Sequence, residues 1–210
     1  MLLLCCAPLL LAWTQAAAGP PPAALHATVR SEFTYLSSTR TTEFEYWAPG
    51  GKVYVKRGGR FVPAPDLPPG PGRAPKTDMH TAGFQYQPDF LWEVKDLAET
   101  QAIHGRSCRL AVAGGIAEYA QTAIRLWLCP SQDASERAVS DLVLRSANFA
   151  YRAILPFLAA EVARRPGVVL LRLEETTEPA IAPTMLRRVE AARFEMAPPA
   201  DVLEPAAPRP

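Results

Sequence analysis

An excess of charge of one sign, clustered histidines and phosphate-binding glycine loops are all missing from this chain. Lysine and arginine number 22 against 21 acidic residues, a net charge of +1, so no nucleic-acid partner and no polybasic membrane patch is expected from the total. The densest basic spots are the doublets Arg164-Arg165 and Arg187-Arg188, which read as solvated faces. The three histidines, His26, His80 and His104, are scattered without ligand spacing, so no metal site is expected. No His-Glu-x-x-His, Gly-x-Ser-x-Gly or Gly-rich phosphate loop occurs. No nucleophile, base and orienter can be nominated together, so the expectation is a non-enzyme with no catalytic residue and no cofactor. Glu174 and Glu175 are neighbours, which on a strand sends them to opposite faces and leaves both to a surface role. Asp66, Asp78 and Asp89 lie beside proline-rich loops, where turn formation accounts for them.

Cysteine is also scarce, with four residues. Cys5 and Cys6 fall in the apolar run of residues 2–13, which ends in Ala16, Ala17 and Ala18 and reads as a signal-peptide core and cleavage site over residues 1–19. The run is too short to remain as a membrane span. Export leaves Cys108 and Cys129. In an oxidising compartment one disulfide is the simplest reading, with two separate buried thiols as the alternative. Residues 20–197 fit one domain on length, and residues 198–210, which lack periodicity, are expected to be a disordered tail.

What the chain has in abundance is proline, 22 residues. Residues 63–75 hold six prolines and two glycines, which cannot keep a hydrogen-bonded ladder and predict an exposed loop. Elsewhere alternation predicts strands. Residues 25–36 alternate, Ser37, Ser38 and Thr39 read as a turn, and residues 41–47 and 52–56 flank Ala48-Pro49-Gly50-Gly51 as a hairpin. Further strands are expected at residues 83–86, 90–94, 103–112 and 123–129, with Gly114 and Gly115 opening a loop between the last two. Pairing Cys108 with Cys129 across an antiparallel ladder sets Leu110 opposite Trp127 and Val112 opposite Arg125. His104 then falls on an exposed strand position. Residues 131–165 change to helical period, with Asp133 or Ser135 as N-cap, Pro156 splitting the run, and Arg164-Arg165-Pro166-Gly167 ending it. Strands return at residues 168–174 and 185–196. The pattern predicts an α+β fold, a curved antiparallel sheet with one or two helices packed against its concave face.

Trp92-Glu-Val, then Ile103-His-Gly-Arg-Ser-Cys108-Arg-Leu-Ala111, then Ile124-Arg-Leu-Trp127 carry a family likeness. This stretch resembles the GLPGLI family and its secreted relatives, with Ile103, Gly105, Cys108 and Ala111 at matching spacing. The Gly-Leu-Pro-Gly-Leu-Ile string itself is replaced by the helical segment, so the likeness points to the broader group of exported proteins similar to the LolA lipoprotein carrier. That resemblance, over about half the chain, implies a half-barrel sheet capped by helices and a periplasmic or secreted location. Trp47, Phe84, Phe90, Trp92, Trp127, Phe149 and Phe157 are the candidate lining of an apolar cavity between sheet and helices, with a packed core as the alternative. The expected function is a non-catalytic envelope protein holding an apolar ligand or lipoprotein. The alternative is an envelope interaction or assembly factor that meets a protein partner through the loop at residues 63–75 and the tail.

Overall fold

The computed structural model describes residues 24–67, 80–81, 84–85, 93–117, 120–147, 154–179 and 181–197. The residues expected to form a signal peptide (1–19) and a disordered tail (198–210), and those of the expected proline-rich loop from residue 68 onward, lie outside the described residues. So do Phe90, Trp92 and Phe149, together with Asp78 and Asp89.

In chain order the strands are β1 (Ala24–Tyr35), β2 (Ser38–Ala48), β3 (Tyr54–Arg57), β4 (Arg60–Pro63), the two-residue pair β5 (His80–Thr81) and β6 (Phe84–Gln85), then β7 (Glu93–Ile103), β8 (Arg106–Ala117) and β9 (Ala120–Pro130). Helices α1 (Arg137–Ser146) and α2 (Ile154–Ala163) follow, before β10 (Val168–Pro179) and β11 (Met185–Ala197). Nine strands form one open, curved sheet in the order β4-β3-β2-β1-β11-β10-β9-β8-β7, every neighbouring pair antiparallel. The fold is α+β with the sheet dominant. Two meanders, β1 to β4 and β7 to β11, are stitched together by the pairing of the first and last long strands, Ala24 opposite Ala197 through Tyr35 opposite Met185.

Two-residue turns set the registers. Tyr35 pairs with Ser38, so the first turn is Leu36-Ser37, with Leu36 at φ 55°. Ser38 and Thr39 belong to β2, not to the turn expected of them. Gly58 and Gly59, at φ 56° and 81°, supply the left-handed pair that a tight hairpin demands, and they add a β3–β4 hairpin that alternation alone does not predict. The expected strand over residues 103–112 is corrected. His104 and Gly105, at φ 50° and 73°, break it into the end of β7 and the start of β8. Histidine is among the side chains that tolerate this region. His104 is therefore a turn residue, and its Nε2 lies 2.7 Å from the carbonyl oxygen of Ala191. Gly114 and Gly115 lie within β8, so the β8–β9 connection comes later than expected.

The expected pairings of Leu110 with Trp127 and Val112 with Arg125 are both present, and Cys108 and Cys129 form a disulfide with Cα atoms 4.0 Å apart. Beside it, Arg106 closes the hairpin tip against the helical layer. Its two terminal nitrogens donate to Glu136 at 2.7 and 2.8 Å, and to the Pro130 carbonyl and Gln132 Oε1. Its guanidinium also stacks over Phe194, 5.4 Å from the ring centroid.

Asp133 Oδ1 accepts from the Ser135 amide at 2.8 Å and caps a short 3-10 turn, Ala134–Glu136, ahead of α1. Helix α1 buries Val139, Leu142, Val143 and Ser146, the i, i+3, i+4, i+7 stripe of an amphipathic helix. Pro156 is the third residue of α2, where its missing N–H has no helical partner to lose.

Strand pairing identifies the face beneath the helices. The Tyr46 hydroxyl meets Ser146 of α1 at 2.9 Å, and Tyr46 opposes Ala27. Two residues along β1, Val29 opposes Ala191, and Val189 opposes Leu173, which opposes Leu126. These residues are buried and, with Leu142 and Leu144, form the core. Ser140 Oγ accepts from the Leu170 amide at 2.9 Å, at a β-bulge where the ladder leaves that donor over. Among the described residues no helix is long and apolar enough to cross a membrane.

Candidate functional site

On the helix side of the sheet a cleft of about 470 Å³ opens between β2, β3, the segment of residues 64–67, the end of α1 and the start of α2. Its floor is apolar: Phe44 and Tyr46 from β2, Val55 from β3, Leu67 and, from α2, Leu155. Local alternation explains the first two. In Glu43-Phe44-Glu45-Tyr46 the glutamates take the outer parity, which turns both rings inward, 6.3 Å apart between centroids. Val55 opposes Tyr46 across the ladder, so the floor continues onto β3. The Ala64 amide donates to the Val53 carbonyl at 2.9 Å and folds residues 64–67 along one side.

The two floor hydroxyls, of Tyr46 and Ser146, are satisfied within the protein. Ser146 donates its proton to the Leu142 carbonyl at 2.9 Å, which leaves Tyr46 as the donor to Ser146 Oγ. Burial pushes the Tyr46 phenol above its ordinary value, against the opposing pull of Ser146, Arg145 and Arg57. Arg145 reaches out of α1 to the Pro65 carbonyl and, at 3.6 Å, to Asp66, while its buried Nε has no hydrogen-bond partner among the described residues. Arg57, on the same strand parity as Val55, stands at the same rim.

The opposite face is a lattice of ion pairs between adjacent strands. Arg30 meets Glu43 at 2.9 Å, Lys56 meets Glu45 at 2.7 Å, Arg172 meets Glu190 at 2.9 Å and Arg188 meets Glu174 at 3.2 Å. His26 joins it beside Glu45 at 3.2 Å. Glu175 departs from its expected surface role. It points to the helix side, where only 9% of its side chain is exposed, and pairs with Arg187 at 2.7 Å. Arg187 in turn lies over the Phe33 ring at 5.4 Å, so it is not the solvated cation expected of its doublet. Burial holds the Glu175 carboxyl above its ordinary value, offset in part by Arg187.

The nominated aromatics are not gathered in this cleft. Trp47 opposes His26, and a chain of partners from Arg30 through Glu190 and Arg172 leads to Trp127; both tryptophans are therefore on the face away from α1. Each is buried, and Trp127 Nε1 donates to Glu174 at 3.4 Å. Phe157 is buried in α2. Phe84 is in β6, with its side chain outside the description, as Phe90, Trp92 and Phe149 are entirely. The nominated set of three tryptophans and four phenylalanines omits Phe44 and Tyr46. The signal that finds them is the alternation with Glu43 and Glu45, which also assigns Trp47 to the outer parity.

Among the described residues no histidine lines the cleft, and no cluster of histidine, cysteine or carboxylate side chains could hold a metal ion. Compared with protein families, curated proteins and solved structures, the chain has no match.

Proposed function

We propose that the protein is an exported, non-catalytic envelope protein of the LolA-like half-barrel type that holds an apolar chain in the cleft between β2, β3 and the helices. The observation that carries this reading is the apolar floor of Phe44, Tyr46, Val55 and Leu155 in a cleft of about 470 Å³, a volume in the ordinary range for small-ligand sites. Two features support it. A curved antiparallel sheet with its helices on one face has the layer order of a half-barrel carrier, and the Cys108–Cys129 disulfide suits an oxidising compartment, periplasmic or extracellular.

Its floor hydroxyls are already hydrogen-bonded to one another and to the backbone, so an apolar guest meets few unpaired polar atoms there. The test is native mass spectrometry of protein purified without detergent, followed by delipidation and titration with a fluorescent apolar probe. A retained lipid adduct and saturable probe uptake are expected. A bare protein that takes up no probe would overturn the reading.

A further inference from the structure

The charges at the cleft differ from those on the opposite face. There, cations and carboxylates pair across neighbouring strands. Lys56, Arg57, Arg145, Glu43 and Asp66 border the cleft, but Lys56 and Glu43 turn their charged groups to the opposite face, which leaves Arg57 and Arg145 with Asp66. Glu43 is already committed, since its Oε1 accepts from both Nε and Nη2 of Arg30 at 3.0 and 2.9 Å. Asp66 is 98% exposed and 3.6 Å from Arg145, too open to water to neutralise it strongly. Lys56 is held by Glu45 at 2.7 Å. The Arg57 side chain has no hydrogen-bond or ion-pair partner among the described residues, and Arg145 keeps a buried Nε–H without an acceptor among them. An unmatched buried donor is costly in a folded protein and marks a place where an acceptor is wanted. Both guanidinium groups are near enough to the Tyr46 hydroxyl to oppose the rise in its pKa, so they stand at the same end of the apolar floor.

An apolar floor with surplus positive charge at one end is the complement of an amphiphile with a negative head. We infer that the cleft selects single-chain amphiphiles with an anionic head, carboxylate or phosphate, with the chain along Phe44, Val55 and Leu155 and the head at Arg57 and Arg145. This rests on the apolar-cleft reading above and adds the chemistry of the ligand's other end. Guanidinium suits either anion, because its fork of donors matches the paired oxygens of both.

The experiment is calorimetric titration of the delipidated full chain with four amphiphiles of one chain length, each below its micelle concentration: dodecanoate, dodecyl phosphate, dodecanol and dodecyltrimethylammonium. At least one anion is expected to bind about tenfold or more tighter than the alcohol, and the cation weakest. Which anion wins identifies the head. Arg57→Gln is expected to remove most of that preference by weakening the anions far more than dodecanol; because Arg57 is exposed, this variant does not threaten the fold. Arg145→Lys, which keeps the charge but not the planar fork, is expected to lose part of it. Equal affinity for all heads, or a preference that survives Arg57→Gln and Arg145→Met alike, overturns the inference while the apolar cleft stands. Failure of all four ligands to bind removes both.

Discussion

Replacing Glu136 by glutamine should destabilise this protein well beyond the range of an ordinary surface substitution. Both partners of the Arg106–Glu136 pair are largely withdrawn from water, with 12% and 10% of their side chains exposed, and the contact is bidentate at 2.7 and 2.8 Å. The carboxylate also accepts from the Gln132 amide at 2.9 Å. Removing one member of such a pair leaves the other's charge desolvated and unmatched, a loss of about 3 kcal/mol. For a chain of this size that corresponds to a fall of about 6 to 12 °C in Tm. The joint variant Arg106→Met/Glu136→Met should recover about half of the loss, because neither charge is then stranded.

The pH dependence has a definite sign. The Arg106 hydrogen bond holds the Glu136 carboxyl below the ordinary 4.5, against the contrary effect of burial. A carboxylate lowered in the folded state contributes its stability above the unfolded value, and loses it as pH falls through the lowered one. The gap between parent and Glu136→Gln should therefore be full at pH 7 and narrow only below about 4.5. Urea unfolding at a series of pH values measures it. A variant within about 0.5 kcal/mol of the parent at pH 7 would refute the reasoning, since that is the range of an ordinary surface substitution.

Three further outcomes are expected. Reducing the disulfide, or replacing both Cys108 and Cys129 by alanine, frees a loop spanning 21 residues and should cost about 3 kcal/mol by the loop-entropy relation, read from urea midpoints with and without reductant. Burial outweighs Arg187 and holds the Glu175 carboxyl above its ordinary value, so this group's contribution to stability declines as pH rises from the unfolded value through the folded one, and Glu175→Gln should flatten that decline in urea unfolding measured at a series of pH values. Tyr46→Phe should cost about 1 kcal/mol, the worth of one buried neutral hydrogen bond, and should strengthen binding of an uncharged apolar probe, both read on one purified variant.

Local chemistry made a good part of this fold legible. Two cysteines in an antiparallel ladder carried the register of β8 and β9 down to Leu110 opposite Trp127, because pairing at one point determines every pair beyond it until a bulge intervenes. Proline and two glycines marked the β2–β3 turn, and the loss of alternation after Pro130 marked the helices. Pairings between distant segments were not legible. Nothing local says that Ala24 meets Ala197, and that strand pairing joins the two meanders into one sheet. Arg106 and Glu136 look like ordinary surface charges until β8 and the start of α1 are brought together, and Glu175 looks exposed until the helix side of β10 is known.

The site was harder to find than the scaffold for the same reason. Counting rings selected the tryptophans, whereas the cleft is lined by residues chosen by parity and by which strands the helices cover. Arg145 on α1 and Arg57 at the end of β3 are 88 positions apart in the chain and meet only through the fold.

The central claim is that a hydrocarbon chain lies on Phe44, Tyr46, Val55 and Leu155, and cross-linking with a diazirine-bearing fatty acid followed by peptide mapping tests it most directly. Labels should concentrate in residues 44–67 and 145–155. Labels spread evenly, or gathered on the ion-paired face of β1, β10 and β11, would contradict it.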